Sequence, residues 1–143
     1  MNTNEERRQQ TARQIAQRSA MARGVLVVDE DVQALAAALR GANIKVIVPT
    51  TGSKDEKIKE EILFHRIIVT RNAADFIHDA PVHEYGIISL AHLSFIAPTP
   101  EYAKNKTAQM ISQALSDYSL WSKGAKFLLE LHDDGNHGLR ELS

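Results

Sequence analysis

Apolar and polar residues alternate in blocks along this chain, and the period within each block assigns an element. Residues 3–22 are rich in Gln, Arg and Ala, all good helix formers, with a thin apolar stripe of Ile15, Met21 and the alanines. The pattern changes at Gly24. Val25, Leu26, Val27 and Val28 form a short continuous run, mostly β-branched, which predicts a strand buried on both faces. The run stops at Asp29-Glu30-Asp31, after which Val32, Leu35, Ala36 and Leu39 recur at i, i+3, i+4 and i+7. That spacing predicts one helix, capped by Asp31 and stopped by Gly41. Residues 44–48 read as a second strand, ended by Pro49. Ser53 and Glu56 have the spacing of a capping box and open a short helix with Ile58, Ile62 and Leu63 inward. Residues 67–70 and 87–90 are two further strand signals. Thr99-Pro100 starts a helix that continues at helical spacing to Tyr118. Phe127, Leu129 and Leu131 alternate in a last strand, followed by a turn over residues 133–138 and a short tail.

The predicted order is α-β-α-β-α-β-β-α-β. Alternating strands and helices imply an α/β fold, a three-layer sandwich around a mostly parallel sheet of about five strands, with an extra helix at the N-terminus. Residues 1–23 form a helical extension and residues 24–143 the domain. In open sheets of this kind ligands sit beyond the carboxyl ends of the strands, where strand order reverses.

Composition narrows the chemistry. The 143 residues suit one domain, and 43% hydrophobic with 24% charged residues is an ordinary globular balance. The absence of cysteine excludes thiol catalysis and cysteine-ligated zinc or iron–sulfur sites. No apolar run approaches the roughly 20 residues that span a bilayer, and the polar, arginine-rich start has no apolar signal core, so the expectation is a cytoplasmic protein without a membrane partner. The net charge is −1, but it is unevenly spread. Residues 1–24 hold Arg7, Arg8, Arg13, Arg18 and Arg23 against Glu5 and Glu6, a basic arm on an acidic body.

Two strands end in carboxylates. The first delivers Asp29, Glu30 and Asp31; the third delivers Thr70, Arg71 and Asn72, with Asp75 just beyond. The helix start between them carries Asp55 and Glu56. If the first and third strands are neighbours, Asp29, Asp55 and Asp75 share one crevice. Carboxylates held together raise one another's pKa values, and a divalent cation relieves that repulsion. Oxygen ligands select hard ions such as Mg²⁺ or Mn²⁺, which assist phosphodiester cleavage. The structural alternative is that these residues are helix caps and solvated turn positions.

Val28-Asp29-Glu30 before a helix resembles the opening of small stand-alone PIN-like proteins, which often read VDEN. Ser53-Lys54-Asp55-Glu56 with Ile58 looks like their second acidic motif, and residues 68–76, IVTRNAADF, look like their third, hhVTxDxDF with h apolar. The resemblance covers residues 24–132. It implies a metal-dependent ribonuclease, frequently the toxin of a toxin–antitoxin pair, with RNA as substrate, an antitoxin protein as partner and a homodimer as the assembly. It also implies Asp29, Asp55 and Asp75 as catalytic and metal-binding carboxylates, Thr70 as the hydroxyl that orients them, and Mg²⁺ or Mn²⁺ as cofactor. Arg71, Arg7, Arg8 and Arg13 are the candidate RNA phosphate contacts. The chain departs from the family at Asn72, where an aspartate is expected, so the alternative is a catalytically impaired PIN-like module that binds a protein or nucleic acid.

A phosphoreceiver resembles the same opening, but the third strand ends in Val69-Thr70-Arg71-Asn72 rather than a phosphoacceptor aspartate, and no Lys-Pro dipeptide occurs. There is no P-loop, GxGxxG or GxSxG. The six histidines lack HExxH or other tight metal spacing; His78, Asp79 and His83 are a possible loop group, read more simply as a polar loop.

Overall fold

The computed structural model describes residues 8–10, 24–49, 62–93, 101–123 and 125–142. The apolar run of the first block forms β1 (Val25–Val28). The segment after it is not one helix. A 3-10 turn over Glu30–Leu35 precedes α1 (Ala36–Gly41), with a kink at Val32, whose φ is −128°. Asp29, not Asp31, caps the turn, its carboxylate accepting the Glu30 N–H. β2 (Lys45–Ile47) and β3 (Ile67–Thr70) follow. The loop expected before the next strand contains a 3-10 turn (Ala73–Asp75) and α2 (Ala80–His83). β4 (Gly86–Ser89), α3 (Glu101–Asp117), α4 (Leu120–Lys123), β5 (Phe127–Glu130) and β6 (Gly138–Glu141) complete the described chain.

These strands make one sheet of six in the order β2-β1-β3-β4-β5-β6, parallel throughout except for the antiparallel β6. The expected mostly parallel α/β sheet is present, with one more strand than the five predicted. β6 falls where the pattern predicts a tail, because Gly138-Leu139-Arg140-Glu141 carries a single apolar residue and lies on the sheet margin.

Each face of the sheet has its own core. Leu26, Val28, Ile67, Val69, Ile88 and Leu129 face Val32, Leu35 and Leu39 and the buried side of α3 at Ala108, Ile111 and Leu115. The alternate residues Val27, Ile68, Ile87 and Leu128 face Leu63, Phe76, Ala80 and Tyr85. β1, β3, β4 and β5 are therefore buried on both sides, as their continuous apolar runs require. Tyr85 is fully buried and donates its hydroxyl to the Phe76 carbonyl at 3.0 Å; burial pushes its phenol well above the usual tyrosine range. Gly86 answers a close approach: a Cβ there would lie 2.3 Å from the Phe127 ring. Among the described residues, no helix is long and apolar enough to cross a membrane.

Candidate functional site

The chain moves outward from β1 to β2, then returns across β1 to β3, so strand order reverses between β1 and β3. That reversal splays the two following segments and opens a crevice at the strand carboxyl ends. β1 and β3 are in register, Val28 opposite Val69, and the Asp29 N–H continues the ladder to the Val69 carbonyl at 3.0 Å. Asp29 consequently stands beside Thr70. The Thr70 hydroxyl, fully buried, donates to Asp29 Oδ2 at 2.8 Å and accepts the Asn72 N–H at 2.9 Å. The other oxygen of Asp29 holds the Glu30 N–H. Both oxygens are thus fixed, one by the end of β3 and the other by the first N–H of the turn that follows β1.

Asp31 sits alongside. Its Oδ2 accepts the Arg71 N–H at 3.2 Å and the Asn72 side-chain amide at 3.1 Å. Burial, and then the neighbouring Asp29 carboxylate, hold the Asp31 carboxyl above the usual aspartate range, partly offset by its bond from the Arg71 backbone and the Arg71 charge. A pocket of about 300 Å³ is lined by Asp29, Glu30, Asp31, Asn72, Asp75 and Phe76. The structure therefore brings Asp29 and Asp75 to one pocket, with Thr70 buried behind Asp29, and adds Asp31, for which the sequence pattern suggests only capping. Asp55, Arg7 and Arg13 lie outside the described residues. Arg8 is exposed in a helical stretch, and Arg71 is exposed next to Asn72 and lines a neighbouring cleft.

The register extends this group into a row. Thr70 pairs with Ser89, Ser89 with Glu130, and Glu130 with Gly138. Beyond Asp29 and Thr70, the same edge therefore presents Ser89 and Glu130 on adjoining strands. A second cleft of about 320 Å³ follows the row; its lining includes Arg71, Asp75, Ser89, His92, Glu130 and Arg140. At its far end the His92 Nε2 lies 2.6 Å from Glu130 Oε2, and the His92 and His132 rings stack at 4.7 Å with 10° between their planes. Among the described residues, His92, Glu130 and His132 are the three acidic or histidine side chains whose ligand atoms come within 4.8 Å of one another. Asp29, Asp31 and Asp75 share a pocket without meeting that spacing, and His78, Asp79 and His83 do not converge either.

Sequence reasoning missed the histidine group because His92 lies 38 residues before Glu130, on the end of a different strand. The signal was the strand-end rule itself. Applied to β4 and β5 as to β1 and β3, it points to His92, Glu130 and His132. No protein-family profile, curated protein or solved structure matches the chain.

Proposed function

We propose that the chain is a metal-dependent ribonuclease of the PIN-like kind, its centre formed by Asp29, Asp31 and Asp75 with Thr70 as the orienting hydroxyl. The observation that supports this most is the pairing of Asp29 with Thr70 beside Asp31, at the point where strand order reverses. The donor set suits Mg²⁺ or Mn²⁺, because it consists of hard oxygens and holds one carboxyl, Asp31, whose charge a cation would relieve. When bound, the ion supplies Lewis acidity and charge neutralisation at the phosphate. Thr70 fixes the direction of the Asp29 carboxylate, and the Arg71 and Asn72 N–H groups keep Asp31 and Thr70 in place. Arg71, exposed beside the pocket, offers a phosphate contact along the RNA backbone.

Asn72 favours a second reading, the silent PIN-like binding module. Its amide donates to Asp31, satisfying with a hydrogen bond part of what a cation would satisfy. One experiment separates the two: cleavage of end-labelled RNA by the full chain with Mn²⁺, with Mg²⁺ and with EDTA. The nuclease reading expects metal-dependent cleavage that falls about 10²–10³-fold in Asp29→Asn. Absence of cleavage under all conditions, or cleavage undiminished in Asp29→Asn, overturns it and leaves the module.

A further inference from the structure

The geometry points to a second metal site, independent of the acidic pocket, at which His92, Glu130 and His132 bind a borderline divalent ion of the Zn²⁺ class. The three residues come from two adjacent parallel strands. Glu130 is the last residue of β5, His132 lies two residues past it, and His92 lies three residues past the end of β4. Ser89 opposite Glu130, with the Leu131 N–H bonded to the Ser89 carbonyl at 3.1 Å, fixes the strand ends side by side. The side chains that emerge from them are two imidazoles and one carboxylate. That set matches the two-His, one-Glu ligation of open zinc sites, in which a fourth position stays available to solvent or substrate.

The distances suit it. Ligand atoms within 4.8 Å must settle near roughly 3.4 Å around a tetrahedral ion with bonds of about 2.0–2.1 Å, so the His92–Glu130 pair, now 2.6 Å apart, opens to admit it. Rotation of half-exposed side chains supplies that movement: His92 and Glu130 are 48% and 33% exposed. Without an ion, a hydrogen bond between His92 Nε2 and Glu130 Oε2 takes up the same facing pair of atoms. The loop that carries His132 is held in shape from below. The His132 N–H donates to His137 Nδ1 at 3.1 Å, the Gly135 N–H returns to the His132 carbonyl at 3.0 Å, and Asp134 accepts the Asn136 N–H at 2.9 Å. Because imidazole nitrogen is a softer donor than carboxylate oxygen, this set selects Zn²⁺ or Co²⁺ over Mg²⁺, the reverse of the acidic pocket. His92 and Glu130 also line the cleft that runs to Arg71 and Asp75, so the ion's open position adjoins a space large enough for a phosphate or carboxylate ligand.

The experiment is calorimetric titration of the metal-free full chain with Zn²⁺, alongside Co²⁺ absorption spectroscopy. The expected result is one equivalent bound, with Co²⁺ ligand-field bands of four- or five-coordinate intensity. Affinity falls by at least about tenfold in each of His92→Ala, Glu130→Gln and His132→Ala, and is retained in Asp29→Asn. Circular dichroism confirms that each variant is folded, which their exposed or half-exposed positions favour. Wild-type chain that binds no Zn²⁺ at sub-millimolar concentration overturns the assignment. So does binding that is equal in the wild type and all three variants, or that is lost in Asp29→Asn alone.

Discussion

The two ends of the polar row are built on the same sheet edge and by different means. At the β1–β3 end, main-chain groups hold the carboxylates: the Glu30 N–H binds Asp29, the Arg71 N–H binds Asp31, and the buried Thr70 hydroxyl ties Asp29 to the backbone of Asn72. At the β4–β5 end, among the described residues, the functional side chains meet one another, through the His92–Glu130 contact and the imidazole stack, while the backbone support lies behind them in the turn. The first arrangement fixes direction before any ligand arrives. The second leaves side chains free to close on one. Topology accounts for the contrast. A reversal of strand order leaves room between two elements for a pocket lined by their ends, whereas β4 and β5 run on in the same direction and the cleft there follows the sheet edge from Arg71 to Arg140.

The largest effect is expected from a change in the sheet that both ends share. Gly86→Ala puts a methyl into the Phe127 ring between β4 and β5, and should cost about 1–3 kcal/mol or more. Urea unfolding measures that cost. Metal binding at both ends should weaken together as the folded fraction falls; a variant as stable as the wild type would show that the Phe127 ring moves aside freely.

Thr70→Val should separate the ends. It removes a buried donor to Asp29 and the acceptor of the Asn72 N–H, at about 1–3 kcal/mol, and should lower any RNA cleavage by about 10–100-fold. Zn²⁺ affinity should be unchanged in the same protein. His132→Ala is the mirror test. Stability should stay within about 0.5 kcal/mol, because the change removes a half-exposed ring with no buried polar partner in the core, while Zn²⁺ binding is lost.

The smallest effect is one of sign. Asp31 titrates above the ordinary aspartate value in the fold, so the folded state binds its proton more tightly than the unfolded chain. Its ionisation is a penalty present above the raised value, and it is relieved as pH falls through that value towards 3.8. Asp134, in the turn below His132, is shifted the other way by hydrogen bonds from Asn136. Its contribution is present above the ordinary carboxylate value and is lost as pH falls through the lowered one. Asp31→Asn should flatten the acid-side gain in stability, and Asp134→Ala the acid-side loss, in melting temperatures recorded across that range.

Much of the fold was legible because burial leaves a pattern in the chain. Four apolar residues at 25–28 and three at 67–69 announce strands covered on both faces; that the two lie side by side does not follow from element order, and the parallel β1–β3 pairing supplies it. Asp29 and Thr70 were legible for the same reason, as the polar residues at which those runs stop. Local hydrogen bonding was harder to see. Asp29 and Asp31 are equally good caps by residue type, and Asp29 takes the role because Asp31 instead turns toward the Arg71 N–H and the Asn72 side-chain amide, 40 and 41 residues away. β6 escaped notice because a marginal strand needs apolar residues on only one side, and Leu139 alone supplies them. The histidine group depends on strand register, which no spacing along the chain encodes.

The placement of β2 and β6 at the two margins has a consequence for association. A marginal strand exposes a row of unpaired backbone groups that invites a strand from another molecule. Here one margin is three residues long and opens with an exposed Lys45, and the other is four residues long and carries exposed Arg140 and Glu141. An incoming strand would gain few hydrogen bonds and would have to desolvate those charges, so the sheet resists growing into fibrillar stacks through its own edges.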